Sequence, residues 1–320
     1  MSHQVTSLER YRGCLLGLAA GDALGTTLEF MPPGTFEPII DMVGGGPFYL
    51  KPGQWTDDTS MALCLAESLV ECKKFDPADQ MNRYVRWWRK GHMSSTGECF
   101  DIGGTTSKAL AAFERSGDPY SGPTDVRSAG NGSIRRLAPI PMFAGTPAHA
   151  CELAAASSRT THGATAAVDA CRYFALLISA ALSGLAKEIL LSPSFVALDT
   201  SWSDDPLCEE IQTIANGSFW DREPPEIRGT GYVVQSLEAA LWAFRSSTSF
   251  EEGCLKAVNL GDDADTTGAV FGQLAGAYYG IDAIPKTWHE KLCHHDMIIS
   301  FADRLHAIGG ANKSITTRTP

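Results

Sequence analysis

Residues 261–280 read Gly-Asp-Asp-Ala-Asp-Thr-Thr-Gly-Ala-Val-Phe-Gly-Gln-Leu-Ala-Gly-Ala-Tyr-Tyr-Gly. Glycine recurs every fourth position, at Gly268, Gly272, Gly276 and Gly280, which places all four on one side of a helix. Each glycine costs a helix interior roughly 0.5–1 kcal/mol against alanine. A run of them therefore implies a face without side chains, onto which another helix packs closely. The same spacing appears near the start of the chain, at Gly13, Gly17 and Gly21. There it lies within a helix predicted from about Leu8 to Ala23, opened by the capping-box pattern Thr6-Ser-Leu-Glu9. Polar flanks argue against the membrane version of this small-residue motif.

Working outward, apolar residues keep a 3.6-residue period over about 59–72, 77–90, 105–116, 148–157, 164–184, 231–246, 250–258 and 287–306. Strand signals are weak throughout. Connections rich in Gly and Pro lie at 31–54, 117–133 and 216–231, none long enough for a domain linker. The expectation is an all-α, compact single-domain helical bundle spanning 1–320, with an ordered core of about 6–308.

Composition narrows the function classes. The chain has 320 residues, 44% hydrophobic and 20% charged, with a formal net charge of −11 and no basic block. General nucleic-acid binding, which needs a basic footprint, is not expected. Nine scattered cysteines with no Cys-x-x-Cys pair read as buried free thiols. The N-terminus lacks a signal-peptide pattern, and the apolar stretch 174–185 is short for a membrane span. A cytoplasmic monomer is expected.

The first half of the opening stretch is acidic, and residues 55–61, Trp-Thr-Asp-Asp-Thr-Ser-Met, repeat its character. Both clusters precede helices, where Asp and Thr commonly cap. Capping requires one oxygen per helix. Asp57, Asp58, Asp262, Asp263 and Asp265 supply more than two caps use, and crowding them without cations raises their pKa values. Carboxylates and hydroxyls without Cys or His are hard oxygen ligands suited to Mg²⁺ or Mn²⁺. Isolated positions are less telling. Asp101 reads as a turn or cap residue, and Glu29 as an acid among apolar residues. Residues 128–133, Ser-Ala-Gly-Asn-Gly-Ser, suit either a plain turn or a backbone nest for an anion. His162 fits a helix start or a ligand contact, and Tyr232 a core position or a stacking platform.

Taken together, Gly13–Gly25, Trp55–Met61, Phe100–Gly103, Gly130–Ser133, Thr161-His162 and Gly261–Gly268 resemble the ADP-ribosylglycohydrolase family over nearly the whole chain. The resemblance implies a single all-helical domain that removes ADP-ribose from modified side chains with two divalent cations, Mg²⁺ foremost and Mn²⁺ second. It implies Thr56, Asp57, Asp58, Asp263, Asp265 and Thr266 as metal ligands, and omits Asp262. It gives Asp101 the role of activating or orienting the attacking water, and Glu29 that of an acid near the metals on a gating loop. Gly103, Asn131, Gly132, Ser133, His162 and Tyr232 fall around the ADP-ribose, with Asn131–Ser133 holding the diphosphate. Two cations about 3.5–4 Å apart would hold ribose hydroxyls and a bridging water. The implied substrate is an ADP-ribosylated protein, with arginine as the favoured acceptor and ADP-ribose as product. Serine, nucleic-acid and small-molecule linkages are the alternatives, beside a non-catalytic ADP-ribose binder. Two departures stand out. Arg135 replaces a frequent Met and either favours an anionic ligand or faces solvent. Gly104 replaces an Asn found in some arginine-specific members.

Overall fold

The computed structural model describes residues 4–193, 195 and 205–316, so the outer bounds of the expected 1–320 domain lie outside the described residues. Among the described residues the first seven α-helices are α1 (Ser7–Gly25), α2 (Asp57–Cys72), α3 (Pro77–Lys90), α4 (Gly104–Ser116), α5 (Pro139–Ala144), α6 (Pro147–Arg159) and α7 (Thr165–Leu182). The second seven are α8 (Lys187–Leu190), α9 (Glu209–Ala215), α10 (Val233–Arg245), α11 (Phe250–Val258), α12 (Ala264–Tyr279), α13 (Lys286–Lys291) and α14 (His295–Thr316). Among the described residues, extended pairing is confined to two isolated bridges, Gly45 with Leu50 and Gly130 with Tyr232. The all-α expectation holds.

The two glycine stripes pack against each other. In order along antiparallel helices, Gly13 faces Gly276, Gly17 faces Gly272, Gly21 faces Gly268 and Gly25 faces Ala264. A methyl group on any of these four α1 glycines would overlap a backbone carbonyl of α12. The missing side chains thus bring the two backbones into contact. α1 itself starts as expected, with Thr6 N–H donating to Glu9 Oε2 at 2.6 Å and Glu9 N–H donating to Thr6 Oγ1 at 3.3 Å. One continuous apolar core surrounds this central pair, drawing on α2, α5, α6, α7, α10, α11 and α14. Cys14, Cys64, Cys171 and Cys254 are buried free thiols within it.

Two outcomes differ from the periodicity reading. The helix expected over 287–306 is two helices. Between them Cys293 N–H donates to Gly53 O at 3.0 Å, and His294 has φ +47°. A chain crossing from another loop therefore takes the hydrogen bond that a continuous helix would have used. α5 escaped notice because Pro139 and Pro141 interrupt the pattern, although proline in the first helical turn loses no intrahelical bond. α7 has the length and hydropathy of a membrane span, yet 78% of it is buried inside the protein as a core helix.

Candidate active site

The glycine seam sets the end of α1 beside the start of α12, and α2 is drawn to the same point by Asp22. This acid, fully buried in α1, accepts hydrogen bonds from Thr56 N at 2.9 Å, Thr59 N at 2.9 Å and Thr59 Oγ1 at 2.6 Å. Asp22 thereby caps α2 from another helix, and α2 has no cap from its own side chains. The local capping role open to Asp57 and Asp58 is already filled. At α12, Asp263 occupies the N-cap position without making a side-chain cap. Its carboxylate instead accepts from Asn131 Nδ2 at 2.8 Å. The surplus carboxylates are thus free for other work. Asp22 was absent from the sequence candidates. An ionisable residue inside an otherwise apolar glycine helix was the available signal.

The two acidic motifs meet. The Thr56 hydroxyl lies 3.0 Å from both Asp22 Oδ1 and Asp265 Oδ2, linking α1, α2 and α12. Oxygens of Glu29, Asp263 and Asp265 all lie within 4.8 Å of one another. Asp57 Oδ1, Asp58 Oδ2, Asp265 Oδ1 and Glu29 Oε2 are buried without a hydrogen-bond partner. Such a set of orphaned hard oxygens fits a divalent cation. Asp262 points elsewhere: its carboxylate meets Arg228 at 3.2 Å near the surface, while its backbone N–H donates to Met31 O and its carbonyl accepts from Phe30 N–H. Those bonds tie the Glu29 loop to the start of α12.

Burial and mutual repulsion dominate the electrostatics. Desolvation, with Asp101 and Asp263 nearby, pushes the Glu29 carboxyl up to about 11. Burial raises Asp57, Asp58 and Asp265 well above the ordinary carboxylate range, Arg135 opposes the shift at Asp57 and Asp58, and neighbouring acids add to it at all three. Burial raises Asp101 to about 7, with Arg135 opposing the shift.

Above this floor opens a cleft of about 360 Å³. Glu29, Asp101, Gly103, Asn131, Gly132, His162 and Asp263 line it, together with Phe30, Gly104 and Arg135. Asp101 sits just before α4 with φ +57°, a left-handed conformation that Asp tolerates better than most residues. Phe48 makes ring contacts with Phe30 at 6.4 Å and Phe100 at 5.2 Å, bridging the Glu29 and Asp101 loops. The Asn131 backbone N–H donates to Gly231 O at 3.1 Å, fixing the Gly130–Gly132 turn at the cleft wall. His162 is buried, contacts Thr161 Oγ1 through Nδ1 at 2.9 Å, and is kept neutral by burial and by Arg136 and Arg135.

Three placements depart from the simplest picture. The Ser133 hydroxyl turns into the core toward Ser158 and Cys171 instead of the cleft. Tyr232 is 39% exposed and does not line the cleft, although its neighbour Gly231 does. Arg135 does not face solvent, and although it lines the cleft its charge is taken up by acids. Its buried guanidinium pairs with Asp57 and lies 2.7 Å from Asp58 Oδ1. A cation inside an expected metal cluster has no sequence signal beyond the substitution itself.

Comparison with known proteins agrees with this geometry. The family model for ADP-ribosylglycohydrolase matches residues 3–314. The ADP-ribosylarginine hydrolase Tri1 of Pseudomonas putida is 45% identical over 300 residues, covering 93% of this chain and 78% of that protein. The ADP-ribosyl-[dinitrogen reductase] glycohydrolase of Rhodospirillum rubrum is 31% identical over 289 residues, covering 89% of this chain and 90% of its own. A solved structure titled ADP-ribosylglycohydrolase-related protein complex superposes with a TM-score of 0.83 at 44% identity, covering 95% of this chain and 99% of that one.

Proposed function

Because the chain belongs to the ADP-ribosylglycohydrolase family, we propose that it hydrolyses the N-glycosidic bond between ADP-ribose and a modified arginine side chain. The observation that carries this reading is the convergence on one cleft of an acid with a raised pKa, a floor of orphaned carboxylate oxygens, and a glycine-bearing wall. The names of the Tri1 and dinitrogen reductase relatives support arginine as the acceptor class.

In this reading Glu29, Asp263 and Asp265 would hold a divalent cation, Mg²⁺ or Mn²⁺. A cation bound there supplies a water of lowered pKa and a fixed point for ribose hydroxyls. Asp101 lines the same cleft and takes the proton from the attacking water, a role its carboxyl can fill near neutral pH because its affinity for protons is raised toward 7. With the Asn131 N–H held by Gly231 O, the Gly132 side of the turn meets the diphosphate through its backbone N–H, and neutral His162 backs that turn. Asn131 also steadies Asp263 through its amide, so the binding wall and the reacting end share one residue. Binding energy from diphosphate and adenine, remote from the anomeric carbon, holds the sugar in place for attack.

The test is incubation with a protein bearing ADP-ribosyl-arginine, with and without Mg²⁺ or Mn²⁺, followed by mass spectrometry. Cation-dependent release of intact ADP-ribose and restoration of arginine are expected. Release of AMP or phosphate, or turnover of only serine or nucleic-acid conjugates, would refute the assignment.

A further inference from the structure

The first acidic motif and the second are not equivalent in this chain, because one already contains a cation. Arg135 is 6% exposed, and its guanidinium pairs with Asp57, lies 2.7 Å from Asp58 Oδ1 and reaches Thr266 Oγ1 at 3.4 Å. Its backbone is fixed as well. The Arg135 carbonyl accepts from Gln273 Nε2 at 3.0 Å, and its N–H donates to Asn131 O at 3.3 Å. Gln273 is itself fully buried in α12, one helical turn and more beyond Thr266, and its Oε1 accepts from Ala138 N–H at 2.7 Å. The segment carrying Arg135 is therefore bolted to the same helix that presents the second acidic motif.

On the other side, the close oxygens of Glu29, Asp263 and Asp265 have no Lys or Arg among their described ion pairs. Glu29 Oε2 and Asp265 Oδ1 are buried and unpartnered. An arginine remains charged in a protein, so a guanidinium between Asp57 and Asp58 offsets one of their two negative charges and repels a further cation beside it. The geometry points to a division of labour: we propose that the Arg135 guanidinium takes the place of one of the two cations, so that the chain binds a single divalent ion at Glu29, Asp263 and Asp265. This rests on the metal-holding role given to that cluster under Proposed function. It assigns Arg135 as a positioning residue, a fixed charge that sets the metal count.

The test is a count of bound ions. Full-length protein stripped with chelator is titrated with Mn²⁺ by equilibrium dialysis, the metal is quantified by mass spectrometry, and electron paramagnetic resonance reports whether the ions are isolated or exchange-coupled. One tightly held, magnetically isolated Mn²⁺ per chain is expected. Arg135→Met should gain a second ion and show a coupled pair. Asp58→Asn should keep the single ion, whereas Asp265→Asn should lose it. Two tightly held ions in the unaltered protein, or loss of the ion in Asp58→Asn, would overturn the inference. The unaltered protein decides the matter even if Arg135→Met does not fold. ADP-ribosyl-arginine turnover measured on the same preparation separates the two proposals: two bound ions with turnover defeats only the single-ion inference, and one bound ion without turnover defeats only the assigned reaction.

Discussion

The seam between α1 and α12 and the acidic floor beside it share those two helices, with α2 joining them at the floor, yet they obey opposite rules. Along the seam, glycine meets backbone with nothing between. There the fit of one backbone against the other decides stability. At the floor, Asp22, Asp57, Asp58 and Asp265 are as deeply buried as any core residue, and charge decides. The sole buried cation touching Asp57 and Asp58 among the described ion pairs is Arg135. The seam stabilises the fold that holds the acids together, and the acids strain what the seam holds. A scaffold with no conformational slack suits a site whose charges repel one another.

The sharpest way to break the comparison is to fill the seam. Gly21→Val places a branched side chain against the carbonyl and carbon of Gly268, both backbone atoms with no rotamer to yield. The expected cost exceeds about 4 kcal/mol, a large part of the roughly 5–15 kcal/mol that separates folded from unfolded protein. Loss of the cooperative thermal transition should be seen by circular dichroism. A normal melt would mean that the helices can separate at this point. Next in size, Asp101→Asn removes the proposed base while keeping the shape and the tolerance for a positive φ. Turnover should fall about 10²–10⁴-fold, with affinity for ADP-ribose changed by no more than a few-fold in calorimetry. An unchanged rate would take Asp101 out of the reaction.

The sequence was informative where one residue type has a single physical purpose. Glycines at four-residue spacing have no use in a helix except close approach, and both stripes were legible, though not that they meet each other. Asp57, Asp58, Asp263 and Asp265 were legible as a surplus over capping. Their freedom from capping depends on Asp22, whose partners lie 34 and 37 residues away, and no local pattern announces such a bond. Ser133 and Arg135 were misplaced for the same reason. A strand alternates and a helix turns with a known period, but within the irregular turn at 130–135 neighbouring side chains diverge, so Gly132 lines the cleft while Ser133 enters the core. The break at 292–294 depends on Gly53, a contact from a distant loop.

A subtler effect separates the two regions by pH. Carboxyls of the floor have folded pKa values above their unfolded ones, with Asp101 near 7 and Glu29 near 11. Between the ordinary carboxylate range and those values, the folded chain binds more protons than the unfolded chain. Stability of the metal-free protein is therefore fullest below the ordinary carboxylate range, about pH 4, and falls as pH rises from there, with Asp101's share lost by about 7 and Glu29's continuing toward 11. Divalent cations bind the deprotonated oxygens and should reverse that slope, raising the melting temperature most at the alkaline end. Melts from pH 5 to 9 with chelator and with Mn²⁺ test this directly. Parallel curves would show that no cation binds the floor. Gly21 and its partners contribute nothing to the slope, since nothing in the seam titrates.

The smallest expected effect on stability lies at the rim. A side-chain carbon at Gly104 meets nothing within 4 Å, and the backbone there needs no positive φ. Gly104→Asn should therefore change stability by no more than about 0.5 kcal/mol, in contrast to any substitution in the seam. It does place an amide at the mouth of the cleft, two residues after Ile102 and beside the start of α4. An arginine leaving group presents N–H donors, which an amide oxygen can accept, and a serine hydroxyl presents fewer. The expectation is a KM for ADP-ribosyl-arginine lowered by a few-fold with kcat nearly constant, the pattern of an interaction made equally in ground and transition states. Competition between arginine- and serine-linked conjugates in one reaction measures it, and equal change for both linkages would show that Gly104 lines the cleft without choosing the acceptor.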